Sequence, residues 1–316
     1  MHNQKTAVID LGTNTWHLLI VRVVNHEIEV LHKEKQAVGI GKGGITKGYI
    51  TEEAKNRGLT AISQFKRVID NLEVDQIYAT ATSAMRNAKN GQEIADLIND
   101  EYGIKVEIID GDKEAEYIYE GVKSAIYIGD ETSLILDIGG GSVEFIICNE
   151  HNIFWKQSFE IGGQRLVDMF QSSDPMPKDK IEELNKYLEI MLAPLIDATE
   201  KYHPVVLIGA SGSFDTLNDI ACEKYPLKYN KIKSDLWLDL KDFEEIYSNL
   251  VVKSREERLQ IPGMIALRVD MIVVAGVLIK FVLNTLNLKR IRISPASLKE
   301  GLLHEVLLKE DEEENN

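Results

Sequence analysis

Twelve residues near the N-terminus, Ile9 to Ile20, align without a gap on Leu136 to Ile147. Each copy reads as an apolar strand ending in an aspartate (Asp10, Asp137), then a glycine (Gly12, Gly139), a small polar turn and a second apolar strand. That pattern is a hairpin. Self-similarity so far apart along a chain predicts two duplicated lobes.

The rest of the sequence fits this frame. After the first hairpin come strand-like residues 28–31, a glycine-rich segment at 39–44 and a helix over 51–71. Thr51 stands as its N-cap, with Glu52 and Glu53 where carboxylates complement the helix dipole. Strands are predicted at 76–80 and 106–109, with helices at 90–102 and 113–125. The second half follows the same order, with hairpins over 134–159, helices over 178–201, and a strand at 205–208 opening into Gly209-Ala210-Ser211-Gly212-Ser213. Strands alternating with helices of this length predict an α/β protein with mixed sheets covered by helices. Gly129-Asp130-Glu131 interrupts the apolar pattern, which puts an N-terminal lobe at 1–126 and a C-terminal lobe at 127–316, a C-terminal helix near 300–310 being able to pack back on the first.

Composition limits the partners. The 316 residues suffice for two domains, and 44% hydrophobic with 28% charged residues is close to the globular average. Cys148 and Cys222 lack metal-ligand spacing and read as buried thiols of a reducing compartment. The N-terminus has no signal-peptide pattern. The most apolar stretch, 271–283, is too short to span a bilayer and contains Lys280, so it reads as a buried helix and the protein as cytoplasmic. A formal net charge of -15 argues against nucleic acid and anionic membrane as partners. Part of that charge sits in the tail from Lys309 to Asn316, a like-charge run expected to be frayed and solvated.

Two turns carry the chemistry. Gly12-Thr13-Asn14-Thr15 and Gly139-Gly140-Gly141-Ser142 let backbone N–H groups and hydroxyls approach phosphate oxygens, although either alone also fits a tight hairpin turn. A carboxylate beside a phosphate repels it, so Asp10 and Asp137 make functional sense with a cation between, and magnesium suits a few carboxylates, several waters and bridged phosphates. Glu144, on the return strand, is a further candidate ligand or an exposed strand residue. Arg86, after a strand and before a helix, reads as a bidentate phosphate contact or as a surface arginine. Gly209, Ser211, Gly212 and Ser213 offer free N–H groups at another helix start.

Taken together, Asp10 to Thr15, Thr82 to Arg86, Asp110 to Ala115, Asp137 to Glu144, Gly209 to Ser213 and Ile293 to Leu302 resemble, in order, the motifs of the exopolyphosphatase and guanosine pentaphosphate phosphohydrolase family. That family belongs to the actin, hexokinase and sugar-kinase superfamily. The resemblance implies two ribonuclease-H-like (actin-like ATPase) lobes, each a mixed five-stranded sheet flanked by helices, with an interlobe cleft. It implies magnesium-assisted attack of water on a terminal phosphorus of inorganic polyphosphate or guanosine pentaphosphate, Glu114 as general base, the metal near Asp137 and Glu144, and a homodimer. Several positions depart from the family pattern: Thr13 and Thr15 stand for serine, His17 for arginine, and Lys299 for arginine. The chain stops soon after the last motif, so the C-terminal extension of longer members is not expected. Arg86, Lys89, Arg165, Arg255, Arg258 and Arg268 are candidates for a positive route that brings in a polyanion. Two other functions fit the same motifs, an ATP-dependent kinase of a small metabolite and a nucleotide-sensing protein without turnover.

Overall fold

The computed structural model describes residues 4–24, 27–229 and 236–314, with side chains as far as residue 308. Two compact units are distinguished, Met1–Tyr117 with Leu298–Asn316, and Ile118–Ser297.

The first unit is built on one five-stranded sheet. Strands β1 (Lys5–Leu11), β2 (Thr15–Val24) and β3 (Glu27–Ala37) form an antiparallel meander, and β4 (Gln76–Ala81) and β5 (Val106–Ile108) join on the other side of β1 in parallel, giving the order β3-β2-β1-β4-β5. The helix Glu52–Asn71 covers this sheet because its apolar residues recur at helical spacing: Ala54, Ala61, Ile62, Phe65 and Ile69 are all buried. Its predicted cap is present, with Thr51 Oγ1 accepting from the Ala54 amide at 3.2 Å. Phe65 and Trp16 are fully buried in the core between helix and sheet, and each aromatic of that size contributes about 1.5–3 kcal/mol on burial. The helix Leu298–Glu314 packs against β1. Its backbone stays helical to Glu314, while the acidic side chains expected to be solvated there lie outside the described residues.

The second unit repeats the connectivity. Strands β6 (Ser133–Ile138), β7 (Val143–Cys148) and β8 (Ile153–Phe159) form the meander, while β9 (Val206–Ala210) and β11 (Ile291–Ile293) continue the sheet in parallel. The sheet differs from the expected five strands by β10 (Leu236–Leu238), which pairs antiparallel with β11 and gives the order β10-β11-β9-β6-β7-β8. Leu236 and Leu238 are buried, while Trp237 lies beneath the guanidinium groups of Arg290 and Arg292 at 5.9 and 5.4 Å. A run of three residues is too short to show alternation, so the sequence does not announce it.

Two helical regions follow the expectation. The helices expected over 178–201 are Lys178–Met191 and Ala193–Tyr202, separated at Leu192, with Pro194 in the first turn of the second. The apolar stretch at 271–283 is the helix Ile272–Thr285, with ten of its residues buried. Among the described residues no helix is long and apolar enough to cross a membrane.

Candidate phosphate turns and their carboxylates

In the second unit Asp137 ends β6 directly opposite Glu144 on β7. Cross-strand partners share a sheet face, with Cβ atoms roughly 4.5–5.5 Å apart. Both carboxyl groups are buried, at 5% and 1% exposure, so neither is freely solvated. Hydroxyls serve as their partners. Ser158, opposite Glu144 on β8, donates to Glu144 Oε1 at 2.7 Å, and Ser297 donates to Asp137 Oδ2. The Ser211 hydroxyl also bonds Asp137. Burial pushes the Asp137 carboxyl above the usual carboxylate range, and the two hydroxyls and the Arg268 charge offset this only in part.

The turn between these strands spends one side of its backbone internally. The carbonyls of Gly139, Gly140 and Gly141 accept from the amides of Gly163, Gln164 and Gly162 at 2.9, 2.8 and 3.1 Å, and Arg165 Nε adds a bond to Gly141 O at 2.8 Å. No described backbone carbonyl accepts from the amides of Gly140, Gly141 or Ser142. A turn of N–H groups of this kind is able to meet an anion.

Beside this turn stands the helix Ser211–Lys224, which begins without a side-chain cap. Ser211 is held at φ 71°, a left-handed conformation that costs a non-glycine residue about 1–2 kcal/mol. A Cβ on Gly212 would fall on the guanidinium of Arg268, so glycine is what lets that side chain lie against the start of the helix. Arg268 is 6% exposed, and its Nε is buried with no hydrogen-bond partner among the described residues. Ser213 is buried in the same first turn.

The first unit repeats the arrangement with different side chains. Asp10 lies opposite His17 on β2 and beside Thr80 on β4. Thr80 Oγ1 is buried with no partner among the described residues. The carbonyls of Gly12, Thr13 and Asn14 accept from Trp16 Nε1, the Gly41 amide and the Gly39 amide at 3.0, 3.2 and 2.9 Å, while Thr13, Asn14 and Thr15 are buried. The two turns share a steric constraint. A Cβ at Gly12 would stand 2.9 Å from Thr15 O, and one at Gly139 would stand 3.0 Å from Ser142 O.

Glu114 is 6% exposed near the start of the helix Gly111–Ala125. The helix start is fixed by Asp110, whose Oδ1 accepts from the Lys113 amide at 2.8 Å and whose carbonyl accepts from the Glu114 amide at 3.0 Å. Arg86, in the short helix Ser83–Asn87, donates through Nη1 to Glu114 Oε2 at 2.7 Å and to Ile109 O at 3.2 Å. The arginine expected at a phosphate thus engages the expected base.

Within each unit the motif residues do converge: Arg86 on Glu114 in one, and Asp137, Glu144 and Ser211 in the other. Sequence reasoning missed Ser158 and Ser297. Ser297 lies inside the quoted motif at 293–302, but Ser158 is revealed only by strand register. Among the described residues no group of three or more His, Cys, Asp or Glu side chains is placed to hold a metal.

Several of the candidate polyanion-binding cations have structural partners. Arg165 also pairs with Glu160 at 3.0 Å and Arg255 with Asp270 at 2.7 Å. Lys299, which stands where the family pattern has arginine, pairs with Glu300 at 2.8 Å. Arg258 is fully buried, donating to Asp174 Oδ1 at 2.7 Å and to the carbonyls of Lys253 and Val269 at 2.6 and 3.2 Å. Arg258→Leu is therefore expected to destabilise the protein by about 3–5 kcal/mol, because it strands a carboxylate and two carbonyls. Denaturant unfolding measures this, and a change below about 1 kcal/mol would contradict it.

Comparison with known proteins identifies the family and the fold. A family model described as the Ppx/GppA phosphatase family matches residues 19–310. A solved structure of an exopolyphosphatase from Cytophaga hutchinsonii is 48% identical, with a TM-score of 0.92, and the match covers 96% of this chain and 98% of that one. A structure of the Aquifex aeolicus member of the Ppx/GppA family is 23% identical, covers 97% and 98% of the two chains, has a TM-score of 0.80, and shows the shared fold. A guanosine-5'-triphosphate,3'-diphosphate pyrophosphatase from Photobacterium profundum is 26% identical over 304 residues, which cover 96% of this chain. The chain spans 59% of the length of that curated relative.

Proposed function

We propose that this chain, which belongs to the Ppx/GppA phosphatase family, is a phosphohydrolase releasing terminal phosphate from inorganic polyphosphate, guanosine pentaphosphate or both. The supporting observation is the buried Asp137–Glu144 pair beside a turn whose amides are unspent. Two buried carboxylates facing one another are costly alone, and they make chemical sense where a cation and an anion join them.

The donor set fits magnesium, which takes few carboxylates and keeps oxygen positions for water and phosphate. Asp137 and Glu144 would hold it, and Asp10 is the aspartate at the repeated position, proposed as a further ligand. When bound, the ion neutralises charge on the phosphate oxygens. The amides of Gly140, Gly141 and Ser142 bind phosphate oxygens, as do Gly12, Thr13, Asn14 and Thr15 in the first unit. Gly209, Ser211, Gly212 and Ser213 add a helix start of favourable dipole. Glu114 accepts a proton from the attacking water, and Arg86 orients it. Water adds to the terminal phosphorus, the phosphoanhydride bond to the leaving oxygen breaks, and orthophosphate departs from the shortened chain.

The same reading places the protein in the cytoplasm, in keeping with two buried free thiols, and takes it as a homodimer on family grounds. The test is phosphate release from polyphosphate and from guanosine pentaphosphate, in magnesium and in EDTA. Release is expected in magnesium without a hydroxyl acceptor, falling at least ~100-fold in EDTA, as loss of a few kcal/mol of charge stabilisation requires. Turnover of ATP only when an acceptor is supplied would replace this reading with a kinase.

A further inference from the structure

The helix that carries Glu114 is held on a second flank, opposite in chain terms to Arg86. Lys113 Nζ meets Glu305 Oε2 at 2.5 Å, and the Tyr117 hydroxyl donates to Glu305 Oε1 at 3.4 Å. The Lys113 ammonium lies 4.6 Å from the centroid of the Tyr117 ring and 3.7 Å from Glu116 Oε2. Lys113 and Tyr117 stand four residues apart, on one helical face, and Glu114 is about 100° around from Lys113. One carboxylate, 192 positions from Lys113 along the chain, thus gathers both ends of that face.

This grouping is not an ordinary surface ion pair. Tyr117 is 4% exposed, and Glu305 and Lys113 keep 25% and 34% of their side-chain surface. Burial first, and then the Glu305 charge, hold the Tyr117 phenol well above its usual range, so it stays a neutral donor to Glu305. Glu305 itself is anchored, because its helix packs along β1, the strand that leads into the Gly12 turn.

We infer that Glu305 is a positioning residue: through Lys113 and Tyr117 it fixes the rotation of the Glu114 helix, and so the place of the Glu114 carboxylate. The inference rests on Glu114 being the general base. Asp110 holds the start of this helix and Arg86 holds Glu114 from one side, and the Glu305 contacts pin a further flank against rotation. The consequence for turnover is large, since displacing a reacting group by about 1 Å costs up to about 100-fold in rate.

The experiment compares wild type with Glu305→Gln, Lys113→Met and the double variant, using steady-state phosphate release from polyphosphate. Each single change is expected to lower kcat about 10-fold while KM stays within about twofold, and the double variant is expected to be no slower than the worse single. The conservative Glu305→Asp and Lys113→Arg variants, which keep both charges and guard against unfolding, are expected to recover at least half of the lost kcat. Unchanged kcat in Glu305→Gln, a loss confined to KM, or multiplying losses in the double variant would overturn the inference. Glu114→Gln runs alongside. Full activity in that variant removes the general-base reading, whereas a slow Glu114→Gln with a normal Glu305→Gln removes only the positioning role.

Discussion

Glu114→Gln is expected to lower kcat for phosphate release by about 10²–10⁴-fold with little change in KM, the range a general base contributes. Glutamine matches the volume of glutamate and keeps an oxygen for Arg86 Nη1, which now donates at 2.7 Å to Glu114 Oε2. What it loses is the capacity to take a proton from water. The variant should remain folded, because Asp110 still fixes the helix start through its contacts with the Lys113 and Glu114 amides. Its unfolding free energy should fall by only about 1–2 kcal/mol, reflecting the loss of a carboxylate partner for a partly buried arginine. Single-turnover phosphate release paired with thermal unfolding separates the two effects. Wild-type turnover in the variant would move the base elsewhere.

Asp137→Asn is expected to change activity and stability in opposite directions. Activity should fall by at least ~100-fold, since the carboxylate proposed to hold the cation, opposite Glu144, is lost. Stability of the EDTA-treated protein at neutral pH should rise by about 1–3 kcal/mol, because the substitution removes a carboxyl whose charged form burial disfavours. The pH dependence follows from the raised Asp137 carboxyl. With the folded pKa above the unfolded one, the folded state binds its proton more tightly. Wild type therefore keeps this contribution below the unfolded carboxylate range, near pH 4, and loses it as pH rises through the folded pKa. The stability gap between variant and wild type should close on acidification towards pH 4 and reach its full size above the folded pKa. Magnesium should raise the melting temperature of wild type and leave the variant nearly unchanged, by linkage of binding to the folded state. Thermal unfolding against pH, with and without magnesium, reads all three, and a variant less stable than wild type at pH 7 in EDTA would contradict the account.

The aligned hairpins at 9–20 and 136–147 were legible because their apolar runs and their turn chemistry are local. The strand orders were not: in each unit a three-strand meander is extended by two parallel strands, with β10 added at the edge of the second sheet. The Thr51 cap and the buried helix at 272–285 were readable for the same reason, since helical spacing and capping are properties of neighbouring residues. β10 was not readable, and neither was the break at Leu192. In both, a three-residue segment or a single proline outweighs a longer average.

At the candidate site the residue types were legible while several partners were not. Asp10, Asp137, Gly12 and Gly139 announced themselves by repetition. That Arg86 holds Glu114, that Ser158 and Ser297 serve the two carboxylates, and that Arg258 is a core residue depend on pairings between 14 and 160 positions apart. The sequence by itself determined the duplicated hairpins, the helical faces and the glycine turns, because these are set by the side chains within one or two turns or strands. Tertiary structure alone decided which charges are buried, which hydroxyls reach them and which carbonyls are spent, because burial and hydrogen bonding arise only when distant strands come into register.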